Sequence, residues 1–139
     1  MFRAGRSAIG EHAATSVTVA AQLQLLPVWH VTFQLEGAWL VIGPTGLFVI
    51  TADEGDLRAA ADRATTRAGE VRTRLATELA WVPFVDALVG TVRDESVAEL
   101  PCLAVPTDLL RYTIAEGPRT VDDDTLERLT RMRLQLPVL

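Results

Sequence analysis

Apolar residues recur along this chain with two different periods, and the changes of period mark out its elements. From about Ile9 to Leu26 an alanine-rich stretch places Val19, Leu23 and Leu26 at i, i+4 and i+7, the stripe of a helix packed on one side. Pro27 ends it. From Val28 to Leu35 the period becomes two: Trp29, Val31, Phe33 and Leu35 fall on one face, and Val28, His30, Thr32 and Gln34 on the other, as in a half-covered strand. Glu36-Gly37 is a tight-turn signal. Ala38 to Gly43 is apolar at both parities and so predicts a central strand, Pro44-Thr45-Gly46 turns the chain back, and Leu47 to Ala52 makes a third strand. The three form a meander.

Asp53 to Asp56 is an acidic loop, with Asp56 placed to cap a long helix running to about Ala80. Trp81 to Val92 predicts a buried strand interrupted at Pro83 and Gly90, residues 93–100 a polar loop, and Pro101 to Val105 a short buried strand. The long helix between strands implies a crossover that makes part of the sheet parallel. Pro106-Thr107-Asp108 opens a short helix that Gly117-Pro118 closes. A last helix spans about Asp122 to Leu136, with Leu126, Leu129 and Leu136 as its apolar stripe; Asp122, Asp123 and Asp124 at its start and Arg128, Arg131 and Arg133 towards its end suit the helix dipole. Residues 1–7 read as a loose basic tail, and 1–139 as one domain.

Charge narrows the function classes. The formal net charge is −5, the wrong sign for a surface that neutralises phosphates, so nucleic acid is disfavoured as a partner. All 13 basic residues are arginine, which removes any mechanism needing a lysine from this chain. Arg63, Arg67, Glu70 and Arg74 share a face of the long helix, but acids are interspersed, and the face reads as solvated and charge-laced. Cys102 stands alone in an apolar run and reads as a buried thiol. Glu11 and His12 interrupt the apolar core an export signal would need, and residues 38–50 are too short and too broken to span a bilayer, so a cytoplasmic protein is expected.

Three segments, "GEHAATSVTVAAQLQLLP" at 10–27, "VWHVTFQLEGAWLVIGPTGLFVI" at 28–50 and "VPTDLLRYTIAEGPRTVDDDTLERLTRMRL" at 105–134, resemble in order and spacing the NERD (nuclease-related) domain of the PD-(D/E)XK restriction-endonuclease-like superfamily. The resemblance implies an α/β (α+β) fold, a restriction-endonuclease-like mixed sheet with a three-strand meander flanked by helices. It also implies where a site would lie. The family's glutamate after a glycine in the first helix matches Gly10-Glu11. Its aspartate at the start of the second strand meets Ala38, and its acid and lysine at the end of the third strand meet Thr51 and Asp53.

Those departures remove the chemistry. A magnesium ion needs carboxylates to hold it and to activate a water, and Ala38 offers no ligand and Thr51 only a neutral oxygen. Asp53 puts negative charge where a lysine would meet a phosphate. The expectation is a degenerate site (Glu11, Ala38, Thr51, Asp53) with no cofactor and no metal, in a pseudoenzyme that acts by protein–protein interaction, binding another protein or a second copy of itself. The rival reading is a Mg²⁺- or Mn²⁺-dependent nuclease with relocated ligands at Glu11, Asp53 and Glu54; against it, Asp53 and Glu54 read as a solvated loop cap. His12 and His30 lack ligand spacing, and Ser7 and Ser96 lack an assignable base. Trp29, Trp39 and Trp81 read as core, any one left exposed being an anchor for a partner.

Overall fold

A computed structural model gives the fold, and residues 15–92 and 99–132 of it are described. Five strands form one mixed sheet whose spatial order, β1-β2-β3-β4-β5, is also the chain order. β1 (Val31–Leu35), β2 (Ala38–Gly43) and β3 (Gly46–Ala52) make the antiparallel meander. The helix α2 (Leu57–Ala76) then crosses one face, so that β4 (Val85–Thr91) runs parallel to β3, and β5 (Leu103–Pro106) adds in parallel at the edge. The other face is covered by α1, described over 15–24, and by α3 (Leu110–Ala115), which follows a 3₁₀ turn at Thr107–Leu109. The helix α4 (Asp123–Arg131) joins α2 on its side.

Parity explains why the central strands lack polar residues. On β2, Ala38, Leu40 and Ile42 face α2 and α4, while Trp39 and Val41 face α1 and α3; on β3, Leu47 and Val49 take the first side and Phe48, Ile50 and Ala52 the second. A strand covered on both faces needs apolar residues at every position. Gly90 in β4 lets α1 come close: a Cβ there would lie 2.6 Å from Val19 Cγ2. The cap expected at Asp56 forms, its carboxylate accepting from Ala59 N at 3.0 Å, whereas Asp122, expected inside the first turn of the last helix, is its cap, accepting from Thr125 N at 2.8 Å.

Several boundaries differ from the sequence expectation, each for a local reason. β1 begins at Val31, not Val28, because His30 N–H donates to the Pro27 carbonyl at 2.9 Å and closes a turn. That turn swings Trp29 outward to 58% exposure, and Trp81 is 64% exposed; neither is core, and Trp39 is half-buried. The long helix stops at Ala76, where the Thr77 hydroxyl donates to the Arg74 carbonyl at 2.7 Å. β5 is an edge strand with only Val105 buried, not the buried strand expected. The exposed α2 face carries ion pairs, Arg58–Asp62 at 3.9 Å and Arg67–Glu70 at 3.2 Å, as a solvated face should. The 1–7 tail, the start of the first helix, most of the polar loop and Leu136 lie outside the described residues. Among the described residues no helix is long and apolar enough to cross a membrane.

Candidate functional site

In sheets with parallel strands, ligands meet the carboxyl ends of those strands. Here that end comprises the end of β3, the end of β4 and the loop that leads into α2. The register places Ala38 one step beyond the Trp39–Ile50 pair, across from Thr51, and both face α2. The sheet therefore does bring together three of the positions that the resemblance singles out, the three that depart from its pattern.

Each is already occupied structurally. Ala38 packs in the apolar cluster under α2. Thr51, fully buried, donates its hydroxyl to the Ala60 carbonyl in the first turn of α2 at 2.7 Å. Asp53 is not the solvated cap the sequence suggested: it is 1% exposed, accepts from the Thr91 hydroxyl at 2.9 Å through one oxygen and from Gly55 N–H at 3.0 Å through the other. Its own N–H donates to the Gly90 carbonyl at 2.9 Å. The carboxyl group thus ties the end of β3 to the end of β4 and shapes the turn that launches α2, the kind of pairing a buried polar group requires. Glu54, next in sequence, is exposed.

Glu11, His12, Ser7 and Ser96 lie outside the described residues. Among the described residues, no group of three or more His, Cys, Asp or Glu side chains is placed to hold a metal ion. Thr91 is the site residue that sequence reasoning missed. Its only signal is a polar residue ending an apolar strand, which becomes meaningful once β4 is known to lie beside β3.

A second hollow lies where β5 is shorter than β4. Pairing starts at Leu88 with Leu103, so Val85 to Ala87 run past the end of β5. A cleft of about 510 Å³ opens there, lined among others by Arg72, Phe84, Asp86, Cys102 and Leu103. Phe84 and Leu103 are both well exposed. Partial burial pushes the Asp86 carboxyl above its ordinary value, and burial likewise pushes the Cys102 thiol up, the opposite of an activated nucleophile. Cys102 is half-buried and its sulfur points at the Ala61 carbonyl at 3.7 Å.

Comparison with protein-family models, with curated proteins and with solved structures returns no match for this chain.

Proposed function

We propose that this chain is a NERD-like, nuclease-related domain whose catalytic positions have been given over to holding the fold together, and that it acts as a protein-binding or self-association module without nuclease activity. The observation that carries the reading is the fate of Thr51 and Asp53. The first is bonded to Ala60 and the second to Thr91 and Gly55, so the atoms that would face a metal and phosphate instead join β3, β4 and α2. The order of a helix, an antiparallel meander, a crossing helix and a parallel strand is the one the resemblance implies. Exposed Trp29, Trp81 and Phe84 supply apolar anchors of the sort that binding surfaces use.

The experiment pairs two readouts on one preparation. Plasmid and oligonucleotide cleavage in Mg²⁺ or Mn²⁺ is expected to be the same for the wild type and for Glu11→Ala. Sedimentation across a concentration series, with and without Trp29→Ala and Trp81→Ala, is expected to show association weakened by at least one of the two. Metal-dependent cleavage lost in Glu11→Ala would establish the nuclease with ligands at Glu11, Asp53 and Glu54 instead.

A further inference from the structure

Between Thr15 and Ala52 only two side chains can titrate near neutrality or below, Glu36 and His30. Glu36 sits in the β1–β2 turn, at the end of the hairpin closed by the Leu35–Ala38 pair. His30 sits at the opposite end, just before Val31, whose partner is Ile42. Its ring packs against Gly43: a Cβ at that glycine would fall 2.3 Å from His30 Cδ2 and 2.7 Å from Nε2. Neither ring nitrogen, both buried, makes a hydrogen bond of ordinary geometry, the Pro27 carbonyl supplying only a weak attraction. A neutral imidazole carries one donor and one acceptor, so this half-buried seat already serves both poorly, and protonation would turn both nitrogens into charged donors there.

Among the described residues, the surroundings offer no compensating charge. The described part of α1, the 25–29 turn, β1, β2 and β3 contribute no other ionisable side chain facing the ring. The neighbouring β2–β3 turn is docked by the segment after α3: the Thr45 hydroxyl donates to the Ile114 carbonyl, and Thr120 and Val121 N–H groups both donate to the Pro44 carbonyl. α3 and that segment bring Arg111, Glu116 and Arg119. Arg111 donates to the Tyr112 hydroxyl, Arg119 pairs with Asp123, and Glu116 and Arg119 are exposed.

We propose that His30 is an acid-sensitive latch, which holds the corner between α1 and edge strand β1 closed while the imidazole is neutral and releases it when the imidazole gains a proton. Burial lowers its proton affinity, with a weaker opposing pull from the Pro27 carbonyl. A group whose folded pKa is depressed below the ordinary imidazole value stabilises the closed form fully above about pH 6.5 and loses that contribution as pH falls. β1 is the element released because it pairs on one side only, with β2.

The test follows the imidazole and the strand together by NMR in the intact chain. The His30 ring is expected to titrate below pH 6.5. Amide exchange of Val31 to Leu35, corrected for intrinsic rates, is expected to rise as pH falls, by up to about tenfold per pH unit between about pH 6.5 and the His30 midpoint, and to stay faster than that of β3, which opens only with the whole sheet. In His30→Phe, which fills the seat without titrating, the rise should vanish. A ring that titrates at or above pH 6.5, or a β1 whose protection ignores its titration, overturns the latch. The wild-type titration alone decides this should His30→Phe fail to fold.

Discussion

On the α2 side of the sheet, the polar groups that reach the interior bond to partners close at hand: Thr51 to Ala60, Asp53 to Thr91 and Gly55. On the α1 and α3 side, the buried side-chain atoms without partners accumulate, Gln22 Oε1, both nitrogens of His30 and Arg111 Nε. The difference follows from connectivity. α2 leaves β3 through a loop of only a few residues, so the Thr51 hydroxyl reaches the first helical turn, and the parallel pairing of β4 beside β3 brings Thr91 to the Asp53 carboxylate. α1 and α3 reach their face from separate parts of the chain, through apolar contacts of Val19, Leu23, Leu110 and Ile114. Apolar packing is indifferent to a stranded amide or imidazole nearby, so the polar atoms there are left over.

The largest expected effect comes from forcing nuclease chemistry back onto the α2 side. Ala38→Asp, Thr51→Glu and Asp53→Lys together place new charged groups under α2, where Ala38 and Thr51 are buried, and should lower stability by more than about 3 kcal/mol in urea denaturation. A triple variant that folds normally and binds Mg²⁺ would break the claim that this face is filled.

The same exchange of a polar for an apolar group should have opposite signs on the two faces. Thr51→Val removes a made hydrogen bond and is expected to cost about 1 kcal/mol, whereas Gln22→Leu removes an unsatisfied oxygen and should leave stability unchanged or slightly higher. Equal losses at both positions would erase the contrast.

A smaller effect separates the faces by pH. Stability should decline as pH falls below about 6.5 in the wild type and remain flatter in His30→Phe, since the depressed His30 value means the unfolded chain binds the extra proton. Asp86 works with the opposite sign: its raised carboxyl favours the folded state as pH falls through the ordinary carboxylate range, well below the histidine window. Thermal melts across both windows read the two slopes separately.

Much of the fold was legible because its signals are local. The alternation of Val31, Phe33 and Leu35, the double parity of Ala38 to Gly43, the cap at Asp56 and the acidic start of the last helix at Asp122 to Asp124 each act within a few residues, and each places its element. Trp29 was misplaced because a turn bonded from His30 to Pro27 takes precedence over period two, and β5 because nothing in "PCLAV" tells an edge strand from a central one. The site was harder. That Asp53 belongs to β4 as much as to its own loop depends on the pairing that sets Ala52 beside Gly90, a contact across 38 residues of sequence between Asp53 and Thr91. An acidic loop at a helix entry looks the same in sequence whether its carboxylate is solvated or buried.

The most direct measurement of the central claim is the stability of Asp53→Ala against wild type, by urea denaturation, in EDTA and in saturating Mg²⁺ or Mn²⁺. A structural carboxylate predicts a loss of about 1–3 kcal/mol in EDTA, unchanged by metal, with no metal-dependent gain in the wild type. The account is contradicted if Asp53→Ala is as stable as wild type or more so in EDTA, while the wild type alone gains stability with metal, by about 2.7 kcal/mol at 100 times the dissociation constant.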